Sequence, residues 1–109
     1  MSSFTVEVKA AMATDVHVTN DTLSVELSDG RTVAVPLAWY PRLAHATSTE
    51  RNSWRFIAGG RGIHWPDLDE DISVENLLSG KSSGESQTSF KRWLTQRTGK
   101  KRALRRNAT

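Results

Sequence analysis

A period of two runs through the first 37 residues and leaves this stretch little choice but half-buried antiparallel strands. Phe4, Val6 and Val8 alternate with Thr5, Glu7 and Lys9, and Val16 and Val18 with Asp15, His17 and Thr19. Leu23, Val25 and Leu27 alternate with Thr22, Ser24 and Glu26, and Val33, Val35 and Leu37 continue the series. Asn20-Asp21 falls between two of these runs as a two-residue hairpin loop. Ser28-Asp29-Gly30-Arg31 is a stronger turn, because Gly30 can take the positive φ that tight hairpins need. The pattern predicts a curved sheet with one apolar face and one wet face.

After Pro36 the period changes. Ala38 to Ala46 fits a short helix with Pro41 near its first turn, where a missing N–H is no loss. Thr47-Ser48-Thr49-Glu50 matches a reciprocal capping box and predicts a second short helix through Trp54. Arg55 to Trp65 reads either as another strand pair or as an irregular loop, with Gly59-Gly60-Arg61-Gly62 in a turn of positive φ. Val74 to Leu78 reads as a one- or two-turn helix closed by Gly80. Trp39, Trp54 and Trp65 are expected over the sheet's apolar face. Tyr40 and Leu43 are expected to pack inward, against the alternative that Tyr40 and Arg42 form a binding hot spot. The predicted fold is α+β: a small antiparallel β-sheet covered on one face by short helices, plus a basic C-terminal helix or tail.

Charge divides the chain where hydrophobicity does. Residues 1–80 hold six Lys/Arg against eleven Asp/Glu, whereas residues 81–109 hold nine against Glu85 alone. Of the 40 hydrophobic residues, 34 lie in the first 80 positions, so a single core fits there and not in the rest. The expected organisation is an α+β domain over 1–80, then a Gly/Ser linker and basic arm over 81–109. The absence of cysteine removes disulfides, thiolate metal sites and cysteine nucleophiles together. No apolar run approaches the length of a spanning helix, and MSSFTVEVKA lacks the pattern of a signal peptide. A cytoplasmic location is the expectation.

Three segments occur in an order that identifies a family. They are Asp29-Gly30-Arg31, then Val35-Pro36-Leu37 with Trp39-Tyr40-Pro41-Arg42-Leu43, then Ile63 to Ser73 as IHWPDLDEDIS. Over roughly residues 14–80 the chain resembles the bacterial family known as domain of unknown function 2442. The resemblance implies a small α+β domain, often encoded beside a second small protein in arrangements resembling toxin–antitoxin pairs. Some relatives carry an additional helix-turn-helix. No catalytic residues are established for the family, so the resemblance assigns none here. The basic arm lies outside it.

The acidic run Asp67, Asp69, Glu70 and Asp71 with His64 has the chemistry of a hard-cation site. Its spacing departs from an EF-hand, and carboxylates near the start of a short helix, or a clamp on Arg42 or Arg61, explain it more simply. The glycine cluster matches neither a Walker A loop nor a dinucleotide fingerprint. No Ser or Thr sits in a nucleophile elbow, and His17, His45 and His64 are far apart in sequence. His17 is expected on the wet strand face and His45 at a helix end. No catalytic residue, metal or cofactor is assigned.

The arm carries the candidate binding residues. Phe90, Trp93 and Leu94 fall at i, i+3 and i+4, one stripe of a helix capped by Ser83 or Ser86, with Arg92 and Arg97 beside it. This stripe suits docking in a partner's groove, or folding back on the body. Lys100, Lys101, Arg102, Arg105 and Arg106 suit phosphates of DNA or RNA. A membrane role ranks below both, because three apolar residues make a thin face. The leading expectation is a non-enzymatic, antitoxin-like interaction module that binds a small partner protein, such as a toxin encoded nearby, through Phe90, Arg92, Trp93, Leu94 and Arg97. A nucleic-acid-binding accessory or autoregulator using the basic tail comes second. A metal-dependent enzyme built on His64 and Asp67–Asp71 comes third.

Overall fold

The computed structural model describes residues 11–108, and for 98–108 the helical backbone only. The alternation at Phe4, Val6 and Val8 lies outside the described residues. Strands β1 (Ala13–Val18), β2 (Thr22–Leu27) and β3 (Thr32–Pro36) form an antiparallel meander. Thr19 N donates to Thr22 O at 2.9 Å, which places Asn20 and Asp21 at the tip of the first hairpin. Gly30 takes φ +92° in the second hairpin, where Leu27 N donates to Arg31 O. Val16, Leu23, Val25, Leu27 and Val35 are buried, as their period of two requires.

Beyond the meander, Leu37–Trp39 form a single 3-10 turn, followed by α1 (Pro41–Ala44) with Pro41 in its first turn. Helix α2 (Ser48–Arg51) starts at the Thr47/Glu50 capping box, both halves of which are formed. It ends at Arg51 rather than running on to Trp54, because Asn52 closes it and the chain turns into a strand. Strands β4 (Arg55–Ile57), β5 (Gly62–Trp65) and β6 (Glu70–Ser73) make a second antiparallel meander. The Arg55–Trp65 stretch is therefore a strand pair, and the α+β fold is built on two three-stranded sheets. Gly59 and Gly60 take positive φ in the turn between β4 and β5. Helix α3 (Val74–Ser79) is capped by Ser73 Oγ and closed by Gly80 at φ +76°.

Both sheets and the short helices share one core. Leu23, Val25, Leu37, Leu43, Ile63, Trp65 and Leu68 are its fully buried side chains, and Tyr40 is buried beside them. Burial of a side chain of this size is worth about 1.5–3 kcal/mol. Trp65 meets the polar requirement of its indole inside the core, donating to Arg51 O at the end of α2 at 3.0 Å. Trp39 and Trp54 are half-buried against the same core, in line with the expected cover over the apolar face. Finally α4 (Gln87–Ala108) begins at Ser86, whose hydroxyl accepts from Ser89 N. Among the described residues no helix is long and apolar enough to cross a membrane.

Candidate functional site

The path from the body to α4 is held at three points. Tyr40 Oη donates to Lys81 O at 3.1 Å, and Ser83 N donates to Trp39 O at 3.0 Å. Glu85 receives the Arg42 guanidinium through both carboxylate oxygens, with Nη2 at 2.5 Å, and also accepts from Ser89 Oγ. The Arg42 side chain is only 15% exposed and Glu85 12%, so water screens this pair weakly. The hydrogen bonds from Arg42 hold the Glu85 carboxyl below its ordinary pKa. Residues 81–86 thus form a strap, where their Gly/Ser composition predicts a flexible linker. Composition reports backbone freedom; it does not register that the neighbouring Trp39 and Tyr40 offer hydrogen bonds.

Arg42 has a second role. Its Nη1 donates to Leu68 O at 2.9 Å, which clamps the loop that carries the acidic run. The expected clamp on Arg42 is thus made in part by backbone carbonyls, and Glu85 supplies the carboxylate. Its guanidinium also lies 5.3 Å from the centre of the Trp93 ring, and that of Arg97 lies 4.7 Å from it. Two cations against one indole draw on the ring's negative face. Arg97 then reaches Glu50 with two hydrogen bonds of 2.8 Å. Glu50 Oε1 also accepts from Thr47 N, so one carboxylate both caps α2 and anchors α4. The Arg97 hydrogen bonds are the main reason the Glu50 carboxyl falls to a pKa of about 2.

The expected partner-binding residues divide by face. Trp93 packs against the core, Phe90 lies edge-on to His45 at 5.1 Å and stacks with Trp93 at 5.8 Å, and Arg97 is paired with Glu50. Leu94 is half-buried, while Arg92 and its neighbour Lys91 are exposed. Phe90, Trp93 and Arg97 therefore fold back on the body. Lys100, Lys101, Arg102, Arg105 and Arg106 lie on the helical backbone of α4, and their side chains are outside the described residues. Sequence reasoning missed Arg42 and Glu50 as the receptors of the arm, and Glu85 as the acid by which the strap reaches Arg42. Glu50 had a visible local use in the capping box, and Glu85 was visible only as the one acid among nine cations.

The acidic run does not converge. His64 Nδ1 pairs with Asp71 across β5 and β6, Asp67 and Asp69 are exposed, and Glu70 turns toward Arg42. Glu70 borders a polar cavity of about 310 Å³ that Tyr40, Arg42, Asn76 and the strap also line. Desolvation pushes its carboxyl up to about 7, with Glu85, Asp71 and Asp69 adding to the rise and Arg42 opposing it. His45 ends α1 as expected, with Nδ1 donating to Pro41 O at 3.0 Å. The described residues whose ligand atoms do come together are Asp15, His17 and Glu26, on the wet face of β1 and β2. Asp15 and Glu26 are cross-strand partners, and His17 Nε2 lies 3.3 and 3.1 Å from their oxygens. The i, i+2 spacing of Asp15 and His17 was legible in the sequence; the register that adds Glu26 was not.

The family model described as "Protein of unknown function (DUF2442)" matches residues 13–83, and the chain belongs to that family. The match ends within the strap and leaves α4 outside. A crystal structure of a protein of unknown function from Rhodospirillum rubrum is 24% identical, with a TM-score of 0.61. The alignment covers 71% of this chain and 95% of that one. A solution NMR structure of an uncharacterized protein from Chromobacterium violaceum is 18% identical with a TM-score of 0.61, covering 76% of this chain and 80% of that one. At these identities the likeness concerns the fold. Comparison with the curated proteins gives no match.

Proposed function

We propose that this member of the family is a non-enzymatic binding module whose body anchors a basic helical arm for a polyanionic partner, nucleic acid. The observation that carries this reading is the way α4 docks. Its aromatic stripe and Arg97 are engaged on the body, and the helix continues for eleven residues that carry Lys100, Lys101, Arg102, Arg105 and Arg106 and no acid. A like-charge run of this density suits a phosphate backbone, whose condensed counterions are released when cations bind. The body, with eleven acids against six Lys/Arg in residues 1–80, is repelled by the same backbone and leaves the contact to the arm.

Binding to a small, toxin-like partner protein is the second reading, and the family resemblance favours it. In that case Phe90, Trp93 and Leu94 must leave the body to enter the partner's groove. The test is fluorescence anisotropy of the full chain with a labelled DNA duplex over a series of salt concentrations. We expect affinity to fall steeply with salt. Replacing Lys100, Lys101, Arg102, Arg105 and Arg106 by Gln should flatten the log–log slope by at least about 2, near 0.9 for each phosphate contact removed. A full chain that shows no salt-dependent binding, yet co-purifies with the product of a neighbouring gene, overturns the nucleic-acid reading in favour of the protein partner.

A further inference from the structure

Resting on the nucleic-acid reading, we infer that α4 binds duplex DNA with one face only, a stripe formed by Lys91, Arg92, Arg102 and Arg106. Lys100 and Lys101 lie outside this stripe. Over the docked half of the helix the faces are fixed by contact. Phe90, Trp93 and Arg97 turn to the body, through His45, the core and Glu50 respectively. Lys91 and Arg92 are exposed, and neither has a carboxylate partner among the described residues. They are cations that the fold leaves to solvent.

The helical backbone carries these faces onward. At 3.6 residues per turn, position 102 lies about three turns beyond Lys91, and position 106 about four turns beyond both Lys91 and Arg92. Positions 102 and 106 therefore continue the outward row. Position 100 lies about two turns beyond Trp93, and position 101 about one turn beyond Arg97. Lys100 and Lys101 continue the rows that dock on the body, and position 105 falls at the border. The basic residues of the arm, contiguous in sequence, thus split by face. The outward row runs from 91 to 106, roughly 22 Å at 1.5 Å per residue.

The partner follows from shape. A helix with one charged edge fits the major groove of B-form DNA, about 12 Å wide, with cations meeting phosphates at its rim. The deep, narrow major groove of A-form RNA does not admit a helix. The body docks on the opposite face of α4, through Trp93 and Arg97, and leaves the outward row open.

Three double substitutions of equal charge separate face from net charge: Lys91→Gln/Arg92→Gln, Arg102→Gln/Arg106→Gln and Lys100→Gln/Lys101→Gln. Each is titrated in the full chain against a 20-base-pair DNA duplex and a duplex RNA of the same sequence, at several salt concentrations. Circular dichroism checks that α4 persists. The two outward pairs should each lower the log–log salt slope by about 2, near 0.9 per contact, and the Lys100/Lys101 pair should change it by less than half as much. Equal losses from all three pairs overturn the one-face inference while the basic-arm reading stands. Duplex RNA bound as tightly as duplex DNA overturns the groove assignment. A full chain that binds neither duplex removes the nucleic-acid reading, and this inference falls with it.

Discussion

The body and its arm are both folded, but different forces hold them. Within the body, among the described residues, every buried side chain is apolar or, like Tyr40, largely so, and no charged residue is buried. The arm adds charge to apolar contact: Trp93 packs on the core, but Arg42–Glu85, Arg97–Glu50 and two guanidinium groups against the indole hold it in place. Apolar burial scales with area and barely responds to pH or salt. Ion pairs respond to both. The molecule is thus one structure with two sensitivities, and acid should release α4 before it unfolds the sheets.

The largest loss is expected in the body. Trp65→Ala empties a fully buried site and orphans Arg51 O, and should cost the body about 3–5 kcal/mol in denaturant unfolding. A loss below about 1 kcal/mol would mean that the shared core is not what holds the sheets. Trp93→Ala should remove about 2 kcal/mol from docking through lost packing and cation–π contact. Its signature is faster amide exchange over residues 87–97 with little change in the body's unfolding midpoint. If instead the midpoint falls as far as for Trp65→Ala, arm and body are one cooperative unit.

Two titrations sharpen the contrast. Glu70 has its folded pKa raised to about 7, so its contribution to stability is fully present below about 4.5 and is lost as pH rises through 7. Glu70→Gln should therefore be more stable than the parent at pH 8, by about 1 kcal/mol once water at the cavity mouth is allowed for, and equal to it at pH 4. Glu50 has its folded pKa lowered to about 2, which reverses the sign. Its stabilisation is complete above about 4.5 and disappears as pH falls through 2. Acid should accordingly undock α4 before it unfolds the sheets, and Arg97→Gln, at a cost of about 1 kcal/mol, should remove most of that pH dependence. Tryptophan fluorescence against pH for the two proteins decides it; superimposable curves would show that Glu50 does not hold the arm.

What the sequence made legible follows the same division. The first meander could be read because Leu23, Val25, Leu27 and Val35 alternate with polar residues over strands of five or six residues. The capping box at Thr47 and Glu50, the Ser86 cap and the Gly80 closure are local signals and were legible too. The second meander was ambiguous. Strand β4 has three residues, and in β5 Gly62, Ile63 and Trp65 are all buried, so no period of two is visible. The docking contacts were not legible at all. Arg42 meets Glu85 across 43 positions and Glu50 meets Arg97 across 47, and no local pattern encodes a pairing of that range. The Phe90–Trp93–Leu94 stripe announced that α4 needed a surface without saying whose.

The strap also sets the terms on which α4 competes with any outside ligand for the body. Because Lys81, Ser83 and Glu85 are tied to Tyr40, Trp39 and Arg42, α4 begins within reach of its receptors and loses little further freedom on docking. A tether this short presents the helix at a local molarity in the millimolar range or above. An ion pair and an indole too weak to join two separate molecules at cellular dilution are then enough to keep the surface around Arg42, His45 and Glu50 occupied. A free helix carrying the same aromatic and arginine would have to approach that molarity to displace it.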